Sequence, residues 1–144
     1  MKRLIFALTF TIAAFAVYAV YAQSGKKDVN YISAANAKFT ERMPGVSGAT
    51  LWGDPDKGAH GVLTKFVPGY DAGVHTHTND VRIVVIKGAY IYKAGGANGK
   101  ETRVGPGDFL FVPGGNRHWS GGDPKEGALF YEEGSAKFDL VPAK

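Results

Sequence analysis

Gly69-Tyr70-Asp71-Ala72-Gly73-Val74-His75-Thr76-His77, taken with Gly107-Asp108-Phe109-Leu110-Phe111-Val112-Pro113-Gly114-Gly115-Asn116-Arg117-His118, decides how the rest of the chain is read. In an extended strand, side chains at i and i+2 share a face, so His75 and His77 project two imidazoles side by side. Such a pair is half of a metal site. His118 follows the Pro113-Gly114-Gly115 turn and is the natural third donor, because that turn can bring it opposite the pair. Three neutral imidazoles would leave further positions on an ion open. On its own, His-Thr-His would be read as a solvated strand pair; the turns around it move the reading toward a metal.

Outward from these two stretches, everything from Ala59 on reads as short runs rich in valine, isoleucine, phenylalanine and tyrosine, interrupted by glycine, proline, asparagine and aspartate. That pattern predicts an all-β sandwich or barrel. The expected strands are His60 to Val67, Val74 to Ile86, Ala89 to Lys93, Glu101 to Val104, Asp108 to Val112, His118 to Ser120, Ala128 to Glu132 and Phe138 to Val141. Pro68-Gly69 closes the first, Gly95-Gly96-Ala97-Asn98-Gly99 forms a hairpin loop, and Gly105-Pro106-Gly107 opens the strand that Pro113-Gly114-Gly115-Asn116 ends. Ser33 to Arg42 fits a short serine-capped helix or an irregular arm or edge strand equally well. Residues 23–58, with Met43-Pro44-Gly45 and Gly53-Asp54-Pro55-Asp56, are expected to wrap the barrel as arm and loop, and 59–144 to form the barrel itself.

These residues resemble both motifs of the cupin superfamily. The first runs from Gly69 through five residues to His75-Thr76-His77 and on to Gly88; the second runs Gly107, five residues, Pro113, one residue, Gly115, two residues, His118. The second departs from the family pattern only at its last position, where asparagine is common and this chain has Gly122. The resemblance covers about Gly61 to Val141. It implies a double-stranded β-helix, a jelly-roll barrel, whose two motifs donate metal ligands into the barrel mouth.

One ligand of the usual set is missing. The family commonly places a glutamate four residues after the second histidine, and Val81 stands there. Alternation from His77 puts Val81 on the inward face, so an apolar group replaces the carboxylate. Asp80 should face outward unless a bulge rotates it. Asn79 shares the inward parity and could hold a metal-bound water. A three-histidine site and a cupin whose site has decayed into a ligand pocket are the two resulting alternatives. The retained histidines favour the first. Zinc, iron, copper, nickel and manganese all remain candidates for the ion, since imidazole suits several of them alike.

Among other residues, His60 would be a second-shell acid or base if its strand borders the mouth, and otherwise a strand-end residue. Tyr90, Tyr92, Phe109, Phe111, Trp119 and Tyr131 supply aromatic bulk to core or pocket walls. Trp119 and Arg82 have the wrong parity for the pocket. Asn116 and Arg117 sit on the turn before His118, where solvated turn residues are the default reading.

The chain opens with Met1-Lys2-Arg3, an apolar run from Leu4 to Val20, and Val20-Tyr21-Ala22 before Gln23, the pattern of a secretory signal peptide cleaved after Ala22. The apolar run is close to the shortest membrane span, but no basic stop-transfer cluster follows it. Residues 1–22 hold two of the 17 basic side chains and none of the 13 acidic ones, leaving a net charge of +2 and no basic block beyond Lys26-Lys27. Nucleic-acid binding is therefore not expected. With no cysteine, the exported domain has neither disulfide staples nor thiolate ligands.

The sequence thus predicts a periplasmic or secreted cupin without a stable membrane anchor once its signal is removed. Its expected role is that of a metal-dependent enzyme acting on a small molecule in the barrel mouth, by dioxygenase, hydrolase or isomerase chemistry. The alternative is a non-catalytic small-molecule binding or sensing module with a structural or degenerate metal site. Pairing into a homodimer through edge strands is a further expectation.

Overall fold

The computed structural model describes residues 28–143. The expected signal peptide, residues 1–22, lies outside the described residues. The chain divides into two units, Met1–Tyr31 and Ile32–Lys144. Of the first, only residues 28–31 are described, and they are irregular and exposed.

The second unit is built almost wholly of strands. After a single 3-10 turn at Ala34–Asn36 come β1 (Thr40–Met43), β2 (Val46–Gly53), β3 (His60–Phe66), β4 (Asp71–Thr76), β5 (Val81–Gly88), β6 (Tyr90–Ala94), β7 (Glu101–Val104), β8 (Phe109–Val112), β9 (His118–Gly122), β10 (Ala128–Gly134) and β11 (Val141–Pro142). They form a six-stranded sheet ordered β1-β2-β3-β10-β5-β8 and a five-stranded sheet ordered β11-β4-β9-β6-β7. All pairings are antiparallel. This is the all-β jelly-roll expected from the two motifs.

Alternation along the strands builds the interior. Val81, Ile83 and Val85 of β5, Ala128 and Phe130 of β10, Tyr90 of β6 and Val104 of β7 meet in one cluster, so both sheets contribute to the core. Phe130 and Ile83 are almost fully buried, and each contributes about 1.5–3 kcal/mol of transfer free energy. Phe66 packs on Phe130 edge-on at 4.9 Å and on Tyr90 at 5.7 Å, closing the space between the sheets.

Three expectations change. The segment read as a wrapping loop supplies the hairpin β1–β2, and β2 pairs with β3 from Val46↔Phe66 to Gly53↔His60. Its apolar alternation is weak because β1 is an exposed edge strand and only Val46, Gly48 and Ala49 of β2 are buried. The expected strand Val74 to Ile86 is two strands in different sheets. Between them, Thr78, Asn79 and Asp80 use their side chains on loop partners, Asp139, Lys137 and Gly114, and the chain crosses from one sheet to the other. Phe109 and Phe111, assigned to core or pocket wall, are instead 62% and 43% exposed on β8, with the Arg82 guanidinium 5.2 Å over the Phe111 ring.

Candidate metal centre

The second turn of the fold places the histidines. His75 and His118 are register partners across the β4–β9 ladder, and Pro142 of β11 flanks His75 on the other side. His77 lies one residue beyond the end of β4, where the chain begins its crossing. The ring centroids are 4.3 Å apart for His75–His118, 5.0 Å for His75–His77 and 5.4 Å for His77–His118. All three residues are buried, at 1%, 6% and 0% exposure. The structure therefore brings together the three histidines singled out by the sequence.

Backbone carbonyls fix the tautomer of each ring. Nδ1 of His75 lies 3.0 Å from the Gly73 carbonyl, Nδ1 of His118 lies 2.9 Å from that of Asn116, and Nδ1 of His77 lies 2.6 Å from that of Asp139. A carbonyl oxygen only accepts, so each Nδ1 carries the proton and donates. In the neutral ring the lone pair is then on Nε2. Burial favours the neutral form of two of the rings: it pushes His75 down to about 4, with the His118 and His77 rings adding to the effect, and lowers His118 as well.

The residues fit a metal ion. One donor atom from each ring lies within 4.8 Å of the others. Two nitrogens sharing an ion at about 2.0–2.1 Å stand at most about 4.2 Å apart, so closure needs side-chain shifts of less than about 1 Å. His118 Nε2 is buried and has no hydrogen-bond partner among the described residues. Leaving such a group unpaired costs about 1–3 kcal/mol, which an ion would offset.

Among the described residues, no carboxylate joins the trio. Val81 is 5% exposed in the core cluster, so its apolar side chain faces the interior at the start of β5. Asp80 points away: its Oδ1 accepts the Gly114 N–H at 2.9 Å, and Oδ2 lies 3.9 Å from Arg82. Asn79 donates to the Lys137 carbonyl at 3.0 Å. Neither residue is directed to the centre by these bonds. Asn116 holds the Tyr92 hydroxyl at 2.9 Å, and Tyr92 in turn stacks on His118 at 5.3 Å. Trp119 faces away from the trio, donating to Asp71 at 2.7 Å beneath the Lys93 ammonium.

Two contributions escaped the sequence reading. The segment Lys137 to Leu140 straps the crossing: the Asp139 carboxylate accepts both the N–H and the hydroxyl of Thr78, its carbonyl holds His77, and Phe138 packs on the His77 ring at 5.2 Å. The Thr78 hydroxyl, with the Thr78 N–H, holds the Asp139 carboxyl below the usual range. The second is Glu132. It shares the inward parity of Ala128 and Phe130 on β10, a signal visible in the alternation of that strand, and it lines a cavity of ≈ 250 Å³ together with His77. The walls of that cavity are largely apolar, including Val62, Phe66, Ile83, Phe130, Phe138 and Leu140.

A family model described as a domain of unknown function, DUF4437, matches residues 21–144. No curated protein sequence matches the chain significantly. Among solved structures, it is similar to KdgF from a Halomonas species, with TM-score 0.59 and 19% identity over 75% of this chain and 94% of that one. The polyketide cyclase RemF from Streptomyces resistomycificus gives TM-score 0.67 and 19% identity, covering 81% and 87%. An RmlC-like cupin from Shewanella frigidimarina gives 0.60 and 19%, covering 76% and 93%. At these identities the likeness shows a shared fold.

Proposed function

Because the chain belongs to the DUF4437 family, a cupin-like family, and keeps three converging histidines in its barrel, we propose that it binds one divalent metal ion through His75, His77 and His118. We propose further that it acts as a metal-dependent enzyme on a small molecule held in the barrel mouth. The observation that carries this reading is the arrangement of the three rings, each with Nδ1 committed to a backbone carbonyl and Nε2 left as the free donor.

A bound ion of this kind would act as a Lewis acid on an oxygen-bearing substrate or lower the pKa of a bound water. The protein's own part is to hold the donors fixed and shielded. Backbone carbonyls orient the rings, Tyr92 and Phe138 pack against two of them, and burial keeps His75 unprotonated far below neutral pH. The apolar cavity beside His77 supports a small-molecule substrate. KdgF and RemF share this fold, but dioxygenase, hydrolase and isomerase chemistry all remain open to it.

The replacement of the usual carboxylate by Val81 favours one second reading, a binding or sensing cupin whose metal is structural or absent. Elemental analysis separates the readings. Protein comprising residues 23–144, purified without chelator, is expected to carry close to one equivalent of a single metal, lost in the His75→Ala, His77→Ala double variant. Absence of metal in both, even after reconstitution, would overturn the metal proposal. Export to the periplasm or medium belongs to the same proposal and predicts a mature protein starting at Gln23, read by intact-mass measurement. Pairing into a homodimer does too, and gel filtration at the monomer mass would remove it.

A further inference from the structure

Beside the histidine trio lies a second polar pair that the metal reading does not use. His60 on β3 is 1% exposed, and its Nε2 stands 3.9 Å from Glu132 Oε1 on β10, whose side chain is 12% exposed. The pair is built into the fold. Gly134 is the register partner of His60, and a Cβ there would lie 2.6 Å from His60 Cε1, so a glycine is required for the ring to fit. Phe138 closes the other side edge-on at 6.4 Å.

One hydrogen bond sets the tautomer of the His60 ring. His60 Nδ1 lies 2.8 Å from the Gly58 carbonyl, so that nitrogen donates. The remaining nitrogen, Nε2, is buried without a hydrogen-bond partner among the described residues and faces the Glu132 carboxyl group at 3.9 Å. The Glu132 carboxylate accordingly raises the pKa of His60, ahead of the opposing effect of burial. A protonated His60 would balance the Glu132 carboxylate, which would let the pair remain inside an apolar barrel.

We propose that the barrel cavity is a site for a neutral, ring-sized molecule bearing a hydroxyl group, whose O–H donates to Glu132 while His60 balances and orients that carboxylate. The cavity of ≈ 250 Å³ exceeds the roughly 150 Å³ that admits benzene in an apolar core, leaving room for one substituted ring. Its walls offer apolar surface from Val62, Ile83, Phe130 and Leu140, and Glu132 presents acceptors only. An anionic head would meet the carboxylate, and Arg42, the one arginine or lysine among the described lining residues, is exposed and bonded to Thr50. This inference rests on the proposed function only for the place where the small molecule sits.

The test uses three probes on one skeleton, 4-methylphenol, toluene and 4-methylbenzoate, titrated by NMR into protein comprising residues 23–144, as purified and after chelator treatment. In the chelator-treated protein the phenol is expected to bind tightest and the benzoate weakest. Glu132→Gln is expected to weaken the phenol roughly tenfold and leave toluene within about twofold. His60→Gln, acting through Glu132, is expected to lower the ratio of phenol to toluene affinity while toluene itself reports that the cavity is intact. Tighter binding of the benzoate to the chelator-treated protein, equal losses for phenol and toluene in Glu132→Gln, or no binding of any probe would overturn the inference. Probe binding that depends on metal but ignores Glu132 would overturn it and leave the metal proposal standing. Binding that depends on Glu132 but ignores the chelator would support it whatever the metal analysis gives.

Discussion

His75 and His118 are cross-strand partners whose rings lie 4.3 Å apart, each holding its Nδ1 proton on the carbonyl two residues earlier in its own chain segment. The same local bond therefore presets both rings before any ion arrives, and the cost of gathering neutral, buried nitrogens is borne by the fold. Metal addition is expected to return that cost. At a free ion concentration one hundredfold above Kd, unfolding should require about 2.7 kcal/mol more than in the metal-free protein. Chelator should reverse the gain, and His118→Ala should abolish it. Thermal unfolding with and without zinc measures this; an unchanged Tm would argue against a site formed by these rings.

The strap at Asp139 should set how well His77 performs. Asp139→Ala removes two hydrogen bonds to Thr78 and frees the segment whose carbonyl holds His77. A loss of about 1–3 kcal/mol in denaturant unfolding is expected. Metal affinity should fall about 10-fold or more, the usual effect of losing an outer-shell support. Asp139→Asn, which keeps one acceptor, should lie between. A variant with wild-type metal affinity would mean that His77 is positioned without the strap.

The split between what was legible and what was not follows from the range of the interactions. Turn glycines and the i, i+2 spacing are local, so the barrel, the trio and the inward parity of Val81 could be read from neighbouring residues. His60 and Glu132 are 1% and 12% exposed, yet each is an ordinary strand residue until a 3.9 Å separation across two strands makes them a pair. Asp139 acts on Thr78 from 61 residues away, and no spacing rule encodes such a contact. In sequence β1 is only one alternative for the arm, and β2 reads as loop, because this hairpin shows little alternation. Phe109 and Phe111 were misplaced because aromatic residues on an outer sheet face look the same in sequence as core ones.

Acid should expose the role of Asp123. The Arg103 guanidinium, followed by the N–H groups of Glu126 and Lys125, holds its carboxyl down to about 2. An unfolded aspartate titrates near 3.9, so between the two values the unfolded chain binds the proton and the folded one does not. The stabilisation is therefore complete above about pH 4 and disappears as pH falls toward 2. Asp123→Asn should be less stable than wild type at pH 6, and the gap should narrow across that window. Denaturant midpoints of both proteins at several pH values would check it, and a gap independent of pH would assign the residue a purely structural hydrogen-bonding role.

Gly88, the last residue of the first motif, tests whether that position is conformational or steric. Its φ is +71°, and a Cβ would press against the Gly127 carbonyl, which also accepts the N–H of Ala89 at 3.0 Å. Gly107, which opens the second motif, has φ +86° but open space around the missing Cβ. Gly107→Ala should therefore cost only the left-handed penalty, about 1–2 kcal/mol. Gly88→Ala carries the same penalty and must also displace a backbone carbonyl at the start of β10, so about 3 kcal/mol or more is expected. The difference between the two variants in urea unfolding isolates the packing part. Equal losses would mean that β10 yields freely at Gly127, and that the first motif ends in glycine only for its backbone angle.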